Sequence, residues 1–195
     1  SACERSQLQR LAVHDPVTGA FAPDYFRLRV VDQVSQAQYL EQSFSLLAFR
    51  VSERNRSAHR MQQFVHLLRE RLPDTAVVGH GGRGCFYVGL PQADRQTAEV
   101  LRQDVVAEWR AMGRQSGIDA GGAMFGSALS VFPKEAASAE FMFDAVRTQL
   151  EADPVREAVE AESDVSLLHA GVTAVSAAMR PVYSTLRRVA PTDLP

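Results

Sequence analysis

Apolar residues recur along this chain in two rhythms, the three-to-four residue period of a helix and the short unbroken run of a buried strand. Leu8, Leu11 and Val13 on a polar background predict a helix over residues 4–13, closed by Pro16. Asp15-Pro16-Val17-Thr18-Gly19 reads as a turn, because Asp and Pro initiate turns and Gly supplies a permissive backbone. Phe26, Val30 and Val34 then predict a helix from Pro23 to Glu41, with Pro23 suited to its first turn. FSLLAFRV, residues 44–51, is short, apolar and aromatic, which suits a buried strand. Met61, Phe64, Val65 and Leu68 mark a helix over 57–72, stopped by Pro73.

TAVV and CFYVGL are strand-like runs on either side of Gly79-His80-Gly81-Gly82-Arg83-Gly84, which predicts a hairpin with a glycine-rich loop. Val100, Leu101, Val105 and Trp109 predict a helix over 93–112, and IDAGGAMFGSAL, starting at Ile118, reads as a strand interrupted by glycines. A helix from Ala137 to Leu150 follows. The order helix, strand, helix, strand, strand, helix, strand, helix predicts an α/β fold with a mixed sheet.

Beyond it lies the acidic stretch EADPVREAVEAESD, and then residues 165–190 without a single acid. Leu168, Val172, Val175, Met179, Val182, Leu186 and Val189 follow steps of 4, 3, 4, 3, 4 and 3, the spacing of a helix–helix seam. Pro181 must kink or break it. The seam reads either as a helix packing back on its own domain or as an interface with a second copy or a partner helix.

At 195 residues the chain can bury about 70% of its unfolded surface without a metal or disulfide staple. Its 46% hydrophobic and 23% charged residues exclude a disordered or low-complexity chain. A net charge of −2 provides no global field for nucleic acid or an anionic membrane, so any binding is expected to be local. Cys3 and Cys85 stand far apart, which argues against a disulfide framework and for a reducing compartment. With no apolar run of membrane length and no signal peptide at the polar start, the expectation is a cytoplasmic domain cut from a longer chain.

The glycine-rich segment satisfies the dinucleotide pattern of glycines, but that motif needs a helix after it, and here a strand follows. His80 with Cys85 suggests nucleophilic catalysis, yet no third group orients the imidazole. A better fit comes from the whole order of elements. Asp15, Thr18, Gly19 and Phe26 keep the form and length of D-x-L-T-G-L-x-N-R-x-x-F, the opening turn and helix of GGDEF domains, while Ala22 and Pro23 replace its Asn and Arg. Ser45 to Ser52 is similar to that family's strand S-L-L-L-L-D-I-D. The hairpin R-Y-G-G-D-E-F resembles His80 to Phe86, with Gly82, Arg83, Gly84, Cys85 and Phe86 as the degenerate signature. Ile118 to Phe125 and Phe141 to Leu150 resemble the last strand and helix.

The resemblance covers residues 15 to about 150 and implies a GGDEF-like mixed, mainly antiparallel sheet flanked by helices. It divides the chain into an N-terminal linker helix over 1–14, a domain over 15–152 and a C-terminal linker and helical extension over 153–195. It also implies diguanylate cyclase chemistry, in which two GTP become cyclic di-GMP and carboxylates on the first strand and the hairpin hold two divalent metals. The matching positions are Arg50, Ser52, Gly84 and Cys85, and none is a carboxylate. A cation about 4 Å from a metal is repelled by roughly 4 kcal/mol per unit of metal charge at an effective dielectric near 20. The guanine-contacting segment expected before the next long helix is reduced to Glu53-Arg54-Asn55-Arg56, so that loop and most of a helix are missing. The expectation is a domain with no catalytic residues, no metal and no cofactor.

Family members also bind cyclic di-GMP at an inhibitory R-x-x-D site before the hairpin, and Arg71-Leu72-Pro73-Asp74 has that form. Its gap to the hairpin glycine is longer than the family's, and strict spacing would put Pro73 and Ala76 in the two roles. Arg50, Arg54, Arg56 and Arg60 form a basic cluster that reads either as a solvated face or as an anion site. The functional expectation is a non-catalytic regulatory module in bacterial cyclic di-GMP signalling, with a protein partner or a homodimer. The alternative is a cyclic di-GMP receptor using Arg71 and Asp74, and an active cyclase stands well behind both. Nucleic acid and membrane insertion are not expected.

Overall fold

The computed structural model describes residues 13–52, 56–115 and 125–152; the expected N-terminal helix, Arg54 and the seam over 165–190 lie outside them. Eight elements follow in order: α1 (Pro23–Tyr39), β1 (Phe44–Val51), α2 (Ala58–Arg71), β2 (Val77–Gly82), β3 (Cys85–Pro91), α3 (Arg95–Gln115), β4 (Phe125–Phe132) and α4 (Ala139–Ala152). The four strands form one sheet in the order β2-β3-β1-β4, and each neighbouring pair is antiparallel. Among the described residues, parallel pairing is confined to an isolated bridge between Phe21 and Gly79.

β1 explains the layering. Its run FSLLAFRV has no polar face, so both sides must be covered. Leu47, Phe49 and Val51 join a core with Phe64 and Leu68 of α2 and Val105 and Trp109 of α3. Phe44, Leu46 and Ala48 join a second core with Phe26 and Val30 of α1 and Met142 and Val146 of α4. In the first core the Phe64 ring meets Phe49, Phe86 and Trp109 edge-on, with centroids 5.7, 5.2 and 5.0 Å away. Such aromatic pairs add about 0.5–1.5 kcal/mol each beyond the area they bury. Val100, expected on the buried face of α3, is exposed; Ala98, Val105 and Trp109 define the inward side instead.

The last strand pairs with β1 along its described length, from Phe44 opposite Phe132 to Val51 opposite Phe125; residues 118–124 of the expected strand lie outside the described residues. The glycine-rich stretch is mostly strand and not loop. A Cβ on Gly79 would fall 2.2 Å from Phe26 Cγ, and one on Gly81 would fall 2.3 Å from Tyr87 Cε2. Glycine there lets aromatic rings press directly on the edge strand. The turn itself is only Arg83-Gly84, with φ of 49° and 73°, the left-handed pair that matches hairpin twist.

α1 closes with the Gln42 N–H donating to the Ala37 carbonyl at 2.8 Å and the Glu41 N–H to the Gln38 carbonyl at 3.4 Å. Glu41 therefore occupies, at φ 53°, the left-handed position that glycine fills most easily. Glu41 is exposed, so its replacement removes only strain. Glu41→Gly is expected to stabilise the domain by about 1 kcal/mol, read as a higher urea midpoint at unchanged slope.

Candidate functional site

The hairpin tip and the end of β1 meet at one edge of the domain. In the register, Arg50 lies between Cys85 of β3 and Gly126 of β4. Arg50 falls on the same side of β1 as Phe44, Leu46 and Ala48, the side that α4 covers. Its guanidinium donates from Nη2 to the carbonyl of Leu150 in the last turn of α4. A cation at a helix C-terminus is favourable, because the final carbonyls carry the negative end of the dipole.

Gly84 is packed from two directions. The Val51 N–H donates to its carbonyl at 2.9 Å. A Cβ built on Gly84 would lie 2.8 Å from Arg56 Nε and 3.1 Å from the Val51 carbonyl oxygen. Arg56 Nε also donates to that oxygen at 3.4 Å. With φ at 73° and Arg56 lying over it, a side chain at this position is strained and has to displace the arginine.

Cys85 is half-buried. Burial raises its thiol pKa above the ordinary value, and Arg50 and Arg56 only partly offset that, so the group is a neutral thiol. Ser52 is half-buried just past β1. The four positions thus offer a guanidinium, a hydroxyl, a bare backbone and a protonated thiol. A hard divalent cation takes carboxylate and carbonyl oxygens, and this donor set does not fit one. Among the described residues no group of three or more His, Cys, Asp or Glu is placed to hold a metal ion.

The basic cluster is dispersed. Arg50 is engaged with α4 and Arg56 is laid over Gly84. Arg60 sits above the Trp109 ring at 4.5 Å, with Nη1 donating to Gln63 Oε1 at 3.1 Å. Burial lowers the pKa of Arg60, as expected for a cation pressed against an indole. Arg71 reaches across to α3, where Nη2 meets Glu108 Oε2 at 3.1 Å, with both side chains nearly half exposed. Asp74 is exposed in the turn before β2.

Sequence reasoning missed one constellation. Asp15 Oδ1 accepts from the Thr18 hydroxyl at 2.7 Å, the Thr18 N–H at 2.8 Å and the Val17 N–H at 3.2 Å. Its Oδ2 lies 3.4 Å from His80 Nδ1, and the imidazole, only 14% exposed, stacks on Phe86. His80 therefore has Asp15 as the acid beside it. α2 clamps the same turn, with Arg69 Nη2 donating to the Gly19 carbonyl at 2.7 Å and Gln62 Nε2 to the Val17 carbonyl at 2.8 Å.

No family model and no curated protein matches the chain by sequence. Solved structures do match by shape. The GGDEF domain of FimX from Pseudomonas aeruginosa is similar at a TM-score of 0.62 and 16% identity, over 74% of this chain and 94% of that one. The coiled coil and GGDEF domain of DgcB from Caulobacter crescentus, in complex with c-di-GMP, matches at 0.62 and 13% identity, over 80% and 87%. Diguanylate cyclase SiaD from Pseudomonas aeruginosa, in complex with its activator SiaC, matches at 0.63 and 16% identity, over 80% of this chain and 64% of that one. The fold is thus GGDEF-like, an antiparallel four-stranded sheet flanked by helices.

Burial raises the Asp15 pKa, but the bonds from Thr18 and the charge of His80 outweigh it and leave the carboxyl below its ordinary value. A carboxyl depressed in the folded state stabilises above its unfolded pKa and loses that contribution as pH falls through the folded one. In urea titrations the wild type is expected to exceed Asp15→Asn by about 1–2 kcal/mol at pH 7. That advantage should shrink steadily below about pH 4.

Proposed function

We propose that this chain is a GGDEF-like domain without cyclase chemistry, acting in cyclic di-GMP signalling through protein contacts. One observation carries the reading: Arg56 fills the volume that a hairpin carboxylate at position 84 would need. The Arg50 guanidinium, turned onto the end of α4, supports it from the strand side. The similarity to SiaD crystallised with a protein activator supports the protein-contact part. Incubated with GTP and magnesium or manganese, the full chain should form no cyclic di-GMP by chromatography. Gly84→Asp should lower stability by about 2 kcal/mol without creating activity, because the left-handed backbone and the Arg56 overlap both resist it. Steady formation of cyclic di-GMP by the wild type would overturn the reading.

A second reading, a cyclic di-GMP receptor, is favoured by the state of Arg71. Its guanidinium is nearly half exposed, and its surface pair with Glu108 costs only about 0–1 kcal/mol to break. Exposed Asp74 follows three positions later, and DgcB was crystallised with c-di-GMP. Calorimetry is expected to give saturable heat with the wild type and at least tenfold weaker binding with Arg71→Ala. Absence of heat in both removes this reading and leaves the first intact.

A further inference from the structure

The two edges of the sheet are closed by different means. On β2 the covering is main chain: the Phe21 N–H donates to the Val78 carbonyl and the His80 N–H to the Phe21 carbonyl, each at 2.9 Å. On β4, among the described residues, it is side chain. Gln149 of α4 accepts from the Leu129 N–H at 3.2 Å and donates to the Leu129 carbonyl at 3.0 Å. Glu135 accepts from the Val131 N–H at 3.2 Å. In an antiparallel ladder the backbone groups of alternate residues point to the same side. Ser127, Leu129 and Val131 therefore turn theirs away from β1, with which β4 pairs without a break. Leu129 and Val131 are buried, whereas Gln149 and Glu135 are exposed, so both covering side chains can swing into water without unpacking the core.

We propose that the outer edge of β4 is a latent pairing surface for β4 of a second copy of this chain, with Gln149 as the gate that keeps it shut. The Gln149 amide makes with Leu129 the same two bonds, one donated and one accepted, that the opposite residue of an antiparallel strand makes. That exchange is self-complementary when Leu129 faces Leu129 of the second copy across a two-fold axis. Ser127 then faces Val131 of the second copy, and the reverse. Charge fits the same register. Arg102 of α3, held by Glu99, donates to the Ser127 hydroxyl, while Glu135, paired with Arg95, lies at Val131. Pairing thus sets a guanidinium beside a carboxylate at both outer rungs, which gives each displaced Glu135 a further cation to meet. An unrelated extended peptide brings no such matching charge and has to be ordered on binding, whereas the strand of a second copy is already formed. Leu129 lies opposite Leu47 in the middle of β1, away from Arg50, so this surface is independent of the chemistry at the hairpin tip.

Sedimentation of the full chain over about 1–500 μM, with amide hydrogen exchange at Leu129, tests this. Gln149→Ala should associate at least tenfold more tightly than the wild type, because the entering strand no longer has to displace two hydrogen bonds. Gln149→Asn, which keeps an amide but is one methylene too short to span both backbone groups, should do the same. In Gln149→Ala the Leu129 N–H should exchange at least tenfold faster than in the wild type at low concentration, and regain protection as concentration rises. Adding Ser127→Pro removes an outward N–H without touching the β1–β4 ladder, and should return association to the wild-type level. Association through any other surface would be indifferent to that proline. The proposal is overturned if Gln149→Ala and Gln149→Asn both sediment as the wild type does. A Leu129 N–H that exchanges fast at every concentration, as in an edge that opens but takes only other partners, overturns it too. So does a folded Gln149→Ala, Ser127→Pro double variant that associates as tightly as Gln149→Ala.

Discussion

Strand β1 is hydrogen-bonded along both edges and covered on both faces, and the placement of every other element follows from that confinement. β3 and β4 take its edges over matching lengths, which fixes the hairpin and the last strand in register. Alternate residues then assign the helices, α1 and α4 to the Phe44 side and α2 and α3 to the Leu47 side. A polar group inside such a strand must find a partner, since an unpaired guanidinium in the interior costs several kcal/mol. Arg50 is tolerated because it lies near the strand's end, where the last carbonyls of α4 come within reach.

That contact also bears on how poorly the tip suits a metal ion. A carboxylate at position 50 would face the carbonyl end of α4, where the dipole repels an anion as it attracts Arg50. A side chain at position 84 would have to push Arg56 aside. Position 85 holds a thiol that burial keeps protonated. Placing a carboxylate at one of these positions would leave the other two unsuited to a cation, so the residues reinforce one another as a packed arrangement.

Much of this was legible in the sequence because it is local. FSLLAFRV is β1 residue for residue, and the periodicities of Phe26, Val30 and Val34 and of Phe64, Val65 and Leu68 gave the buried faces of α1 and α2. Three features were hidden by their non-local causes. Gly79 and Gly81 looked like loop because the rings that demand glycine come from Phe26 and Tyr87. The pairing of Asp15 with His80 joins segments far apart in the chain that meet where Phe21 bridges to β2. Arg71 and Asp74 are neighbours in sequence, but Glu108, presented by an adjacent helix, is the acid that Arg71 meets. That no carboxylate stands at positions 50, 52, 84 and 85 was visible at once, whereas the way Arg50 and Arg56 pack there was not.

The edges of the sheet limit how such a domain can touch another protein. Gln149 of α4 imitates a neighbouring strand at Leu129, accepting from its N–H at 3.2 Å and donating to its carbonyl at 3.0 Å. Glu135 accepts from the Val131 N–H at 3.2 Å, and on the far edge Phe21 occupies the backbone of Val78 and His80. Edge groups already satisfied this way offer little to an added strand, which would first have to displace them. The most exposed large apolar side chains lie on helices instead: Tyr39 and Leu28 on α1, Phe141 on α4 and Val100 on α3. The longest such stripe runs along the outer face of α1, where Leu28 and Val31 stand one turn apart and Tyr39 continues it two turns on.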